Sequence, residues 1–372
     1  MKPELHWFEE GIDRGLQSCW GPPAGGDGDF PVHQLTSSAC ISFNIYCEQV
    51  YASTDGQRIA FVRLVSSSFV EGPYEVWVCD LPTRRIARVD TGTQNFAATT
   101  PLLDSIYYIK SLSAQDHRLI RFNLKTLERD EVFSFGDCPR ANATTISPDE
   151  RYYCGVKRLH DNLHGLFRVD LRDGTWRFIH EHEDIHNPHL QFEPGKGELI
   201  LVQNDHRGER WEESTLYVVD RDGRNERRLP VGKPYTRGID GHQCWIGTTG
   251  KVLLTTEDSR AHGNLYVTAP GEAQPKLLNR GFHFVHVSAS ADGRFFVADH
   301  AKRVFLGSLN TGRVLPFCDP QVSWGSLHYT HPHAYLTPDN RHVIFNSDCT
   351  GICQVYAAQI PGGTLEYLED RP

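Results

Sequence analysis

Methionine is nearly missing from this chain of 372 residues, occurring only at position 1, and several other absences are more informative. There is no basic block, and the formal net charge is −9 with a pI of about 6.1. A chain without a cationic stripe lacks the footprint that nucleic acid or an anionic membrane requires. That balance does not exclude a small anionic ligand, because a local group of arginine, histidine and metal can hold a carboxylate inside an acidic protein. No run approaches the ~20 apolar residues of a spanning helix. The first twenty residues carry Glu4, Glu9, Glu10, Asp13 and Arg14 in place of the apolar stretch of a signal peptide. Ten cysteines are present without a single CxxC pair, which points to buried thiols in a reducing compartment. The expected location is cytoplasmic.

Apolar residues at 39% and charged residues at 23% suffice for a sizeable core. A repeat organises them. A small or polar residue, a tight turn of the Asp-Gly type and an alternating apolar strand recur as one phrase. It reads YASTDGQRIAFVR around Asp55, TTISPDERYYCGV around Asp149, QFEPGKGELILVQ around Gly195 and WIGTTGKVLLTTE around Gly250. It returns as SASADGRFFVAD around Asp292 and LTPDNRHVIFNSD around Asp339, with a weaker copy at Asp104. The seven copies lie roughly 42 to 55 residues apart.

The turn residues supply the positive φ of a hairpin, and the period of two that follows is that of a half-buried strand. Between copies, segments such as YEVWVCDLPTRRIARV and LFRVDLRDGTWRFIH read as two further strands joined by a turn. Each repeat thus holds about four short strands, which is one propeller blade. The even spacing and the lack of a Pro/Ser-rich linker argue against a sandwich or a pair of β-domains. The expectation is an all-β chain: a single seven-bladed β-propeller of four-stranded antiparallel blades over residues 30–372. Its first and last strands share one blade, and residues 1–29 form an N-terminal extension.

A repeat kept for structure alone needs no particular side chain where its inner strand begins. Here that place carries histidines, all in the second half of the chain. In HYTHPHAYLTPDN, His331 and His333 are two apart and would face the same way on a strand, with His328 three residues earlier. His286 lies six residues before Asp292, just as His333 lies six before Asp339. Neutral imidazoles converging on the channel suit Mn, Zn, Fe or Ni. Any one such histidine is ordinarily solvated or hydrogen-bonded; four at matched places favour a metal site. His242, in GIDGHQCW, holds the corresponding place one blade earlier and is a candidate acid or base. His189, in HNPHLQFEPG, holds it one blade before that, as a structural histidine or a substrate contact.

These segments resemble the oligogalacturonate lyase family of bacterial polysaccharide lyases over residues 30 to 360. VHQLTSSACISFNIYCEQVYASTDGQRIAF is similar to the family's opening blade, but the paired-histidine segment is the specific part. The resemblance implies that His286, His331 and His333 are metal ligands, with His328 standing where the family usually has glutamine. It implies one divalent ion, Mn2+ foremost with Zn2+, Fe2+ or Ni2+ as alternatives, and a catalytic role for His242. One departure stands out. Where the family carries a catalytic arginine, EESTLYVVDRDG has Thr215. Arg210 is the candidate to replace it in catalysis, and Arg207 and Arg237, with His189, are candidates to bind substrate.

β-Elimination on a uronide removes the proton at C5, acidified by the neighbouring carboxylate, and expels the sugar at C4. The implied activity is a metal-dependent lyase acting on short uronic-acid oligosaccharides, a reaction of pectin degradation, with no nucleic-acid or membrane partner. Two other classes remain open: a non-catalytic propeller scaffold, and a metal-dependent sugar hydrolase or epimerase on the same fold. A scaffold has no need of four imidazoles at matched places.

Overall fold

A computed structural model describes residues 2–370 except 13–30, 66–71, 94–96, 206–212, 301–302 and 326. Among the described residues the regular secondary structure is almost all β-strand, with one short α-helix at Thr364–Glu369. Five separate sheets have four antiparallel strands each. Four of them are built from consecutive strands within 144–183, 191–228, 239–277 and 287–318. The fifth joins Tyr335–Leu336, His342–Ser347 and Gln354–Gln359 to Val32–Gln34 from the start of the chain. Pairing Val32 with Ala358 ties the two ends of the chain together, as the sequence led us to expect.

The remaining sheet has eight strands, running from Ser42–Phe43 to Arg129–Ser134. A single residue pair, Thr93 with Lys110, connects its two halves. Phe8–Glu9 adds a short strand alongside Arg85–Thr93, and Glu10 pairs with Arg63 at 2.7 Å.

The core consists of layers between neighbouring sheets. Tyr153 and Phe167 pack with Tyr107 and Phe133 across one junction, Phe192 and Tyr217 with Cys154 and Leu166 across the next. Further round, Trp245 meets Leu201, Phe296 meets Cys244, and Phe345 meets Val297. Tyr335 and Ile344 of the last sheet complete the circuit against Phe61 and Val62. Each buried side chain of this size stabilises the fold by roughly 1.5–3 kcal/mol, so every sheet leans on two neighbours. Seven of the nine described cysteines are buried free thiols, and Cys40 and Cys349 are exposed.

The repeated phrase has a local cause. Ser53, Ser147 and Ser290 each bond the aspartate two residues on, at 2.6, 2.5 and 2.6 Å, and Thr337 bonds Asp339 at 2.7 Å. The same residues' N–H groups close the hairpin, as Ser290 N–H does onto Phe295 O at 2.9 Å. The weak copy at Asp104 departs here: its carboxylate accepts from the N–H and hydroxyl of Thr54 in the neighbouring repeat.

Candidate metal centre and active site

Counting back four residues from the N–H that closes each hairpin locates the channel side of every sheet. Glu193, Ile246, Ser290 and Thr337 close theirs onto Leu199, Lys251, Phe295 and His342. Four residues before them stand His189, His242, His286 and His333. Four successive sheets therefore present a histidine at one structural position, and radial packing brings those positions together.

The rings meet in sequence. His189 and His242 have centroids 6.1 Å apart, His242 and His286 4.3 Å, and His286 and His333 4.1 Å. One ligand nitrogen from each of His286, His331 and His333 lies within 4.8 Å of the others. Three ligands at about 2.1 Å around one ion stand about 3.4–3.6 Å apart, so these imidazoles would share a divalent ion after closing by up to about 1.4 Å.

Side chains around the three set their orientation. His286 Nδ1 donates to Asp299 Oδ1 at 2.7 Å, which directs its other nitrogen to the cluster. Burial pushes the Asp299 carboxyl up to about 8, opposed by the His286 backbone N–H and the neighbouring His331. His331 Nε2 donates to Gly325 O at 2.8 Å, a tautomer that carries its lone pair on Nδ1, while Trp324 stacks on the ring at 4.5 Å. His333 sits in left-handed backbone at φ 44, with its carbonyl held by Asn44 Nδ2 at 2.7 Å. That conformation costs roughly 1–2 kcal/mol for a residue with a Cβ, a strain typical of functional positions. It also corrects the sequence reading. The strand begins only at Tyr335, so His331 and His333 converge through an irregular turn and not through strand alternation.

His242 is half-buried against His286. His189, also left-handed at φ 39, places Nδ1 2.7 Å from Glu48 Oε1. Arg237 is exposed in the turn before the strand Ile239–Trp245 and does not line the cavity beside the cluster. Thr215 is buried in the third strand of its sheet, where its hydroxyl donates to Val231 O at 2.7 Å. Arg207 and Arg210 lie outside the described residues, and so does the side chain of His328, whose backbone opens the 3-10 turn His328–Thr330.

Sequence reasoning missed three neighbours. Tyr46 has its ring 4.6 Å from His333, 5.9 Å from His189 and 6.3 Å from His242, so it faces the cluster from across the channel. Burial first, then Glu48, raises its phenol well above the ordinary value. Glu48 and Asp299 are the others. The signal for Asp299 was available: in FFVAD it continues the buried face of Phe295 and Val297, where an unpaired carboxylate would be costly.

This combination defines an all-β propeller with a histidine cluster fit for a divalent metal. No family model matches the chain. The oligogalacturonate lyase of Dickeya dadantii is 22% identical over 376 aligned positions, covering 89% of this chain and 93% of that protein. A solved oligogalacturonate lyase in complex with manganese superposes with a TM-score of 0.72 at 19% identity, over 96% of this chain and all of the other. The β-propeller domain of the trilobed protease from Pyrococcus furiosus superposes with a TM-score of 0.50 at 13% identity, over 90% of this chain and all of that domain. The chain is related to the oligogalacturonate lyase family, the one its histidine segments resemble.

Proposed function

We propose that the chain is a divalent-metal-dependent lyase that cleaves short uronic-acid oligosaccharides by β-elimination, giving unsaturated uronides, with manganese as its foremost metal. The observation that carries this is the convergence of His286, His331 and His333 within 4.8 Å, with His242 packed on His286 at 4.3 Å. The relatives' names supply the reaction class. His286, His331 and His333 would hold the ion, with His328 as fourth ligand. When bound there it supplies a Lewis acid beside the substrate carboxylate, where negative charge grows as C5 loses its proton.

The chain's own groups do the rest. His242, half-buried beside the cluster, is placed to take or return a proton at C5 or at the leaving oxygen. Tyr46 faces the cluster from the opposite side of the channel, its ring 4.6 Å from that of His333. Arg210 remains a proposed catalytic partner, and Arg207, Arg237 and His189 proposed substrate contacts. Of the described ones, His189 is packed beside His242. Reading the eight-stranded sheet as two blades joined at Thr93 and Lys110 gives the seven blades of the repeat, in one propeller over residues 30–372 after an extension at 1–29. Short oligomers as substrate suit a cytoplasmic enzyme; no described helix is long and apolar enough to cross a membrane.

The test is ultraviolet absorbance of the conjugated product across a panel of uronide oligosaccharides, with and without chelator. A chelator-sensitive signal is expected on at least one. Silence on all of them would remove the lyase reading and move the hydrolase reading ahead.

A further inference from the structure

A cavity of about 550 Å³ opens beside the histidine cluster, within the range of about 300–1,000 Å³ typical of small-ligand sites. Tyr46 and His189 belong to both, so one wall of the cavity is the cluster's own edge. The other wall comes from the next sheet round. It carries Arg158 at the end of Tyr152–His160 and His164 at the start of Leu163–Asp170, with His186 packed edge-on to His164 at 5.0 Å.

The charges in this cavity are arranged along its length. Glu48 is the one carboxylate among its described lining residues, and it is engaged at the cluster end by His189 Nδ1 at 2.7 Å. Arg158 is the one Lys or Arg among them. Its Nε donates to Asp161 O at 2.7 Å, and it makes no ion pair with a described carboxylate. The rest of the guanidinium fork is thereby fixed in direction but not neutralised, the condition under which arginine takes a carboxylate bidentately. His164 donates Nδ1 to Asn162 O at 2.8 Å, and burial holds it below the ordinary histidine value, so it offers a neutral acceptor suited to a sugar hydroxyl.

We propose that this cavity binds the sugar residue adjoining the one cleaved at the cluster, and that Arg158 pairs with that residue's carboxylate and selects acidic over neutral oligosaccharides. The proposal rests on the lyase reading for the position of the cleaved bond, but the cavity's preference for a carboxylate stands on its own residues. It also locates a cation for the substrate in a different sheet from Thr215, the place where the resemblance would have put an arginine.

The experiment uses the full chain, metal-loaded for kinetics and chelated for binding, with trigalacturonate and with neutral 1,4-linked galactotriose. Kinetics are read by ultraviolet absorbance and binding by calorimetry on chelated protein. For Arg158→Ala, KM for trigalacturonate should rise at least tenfold with kcat changed by less than about threefold, and Arg158→Lys should restore part of the loss. Calorimetry should show the same tenfold weakening for trigalacturonate and none for galactotriose. Arg158 is exposed, so an unchanged melting curve is expected to confirm that the variants fold. An unchanged KM, or a loss confined to kcat, would overturn the assignment. Should no uronide be cleaved, calorimetry still decides. Arg158-dependent binding of trigalacturonate would retain the charge-reading cavity while the lyase reading fell, and Arg158-independent binding would overturn it.

Discussion

The first and second halves of the ring use the same backbone position differently. Four residues before the closing N–H of Ser53 stands Gln49, and before that of Ser147 stands Ala143. In the later sheets that place holds His189, His242, His286 and His333. Gln49 is a brace: Nε2 donates to Thr144 O at 3.2 Å and Oε1 accepts from Thr99 N–H at 2.8 Å, so it ties neighbouring repeats across the channel. The hydroxyl–aspartate turn is common to both halves, as Ser53 with Asp55 and Ser290 with Asp292 show. The fold is thus indifferent to what occupies the channel position. One half fills it with structural side chains and the other with imidazoles that can do chemistry.

If that division is real, substitutions should separate along it. The largest effect is expected for His333→Ala, which removes a ligand: uronide-cleaving activity should drop by at least about a thousandfold, on the scale of removing a principal electrostatic stabiliser. Next, His242→Ala should lower kcat by about 10²–10⁴-fold, the usual worth of a positioned acid or base, with bound metal unchanged. Retention of full activity would move the proton-handling role elsewhere. Asp299→Asn should weaken metal affinity by about 10–100-fold, since the carboxylate only orients His286; titration with Mn2+ monitors it. The smallest effect belongs to the other half. Gln49→Ala should leave metal content and kcat alone and reduce stability by about 1–2 kcal/mol for two lost hydrogen bonds, read from denaturant unfolding.

How much of this the sequence disclosed follows from what is local. The Ser/Thr-x-Asp turn is a contact over two residues, so it marks the repeats of Ser53, Ser147, Ser290 and Thr337 and fixes the count back to His286 and His333. The strands Tyr74–Asp80 and Arg85–Thr93 follow the alternation of YEVWVCDLPTRRIARV for the same reason. Tyr46 and Glu48 were not legible, because they reach the cluster across the channel from residues 141 to 287 positions away in the chain. Arg158 escaped notice because nothing local distinguishes it from other exposed strand ends. The turn around His333 escaped too, since its left-handed φ depends on Asn44 from the far end of the chain.

Metal content tests the central claim most directly, that three imidazoles at one place in the ring hold a single divalent ion. Elemental analysis of protein purified without added metal should give about one divalent ion per chain near neutral pH. The fraction bound should fall as the pH is lowered, because protons compete for imidazole lone pairs. The double variant His331→Ala, His333→Ala should contain none while keeping the melting curve of the parent, because the packing layers between sheets do not include these rings. An unchanged metal content in that folded double variant would contradict the account.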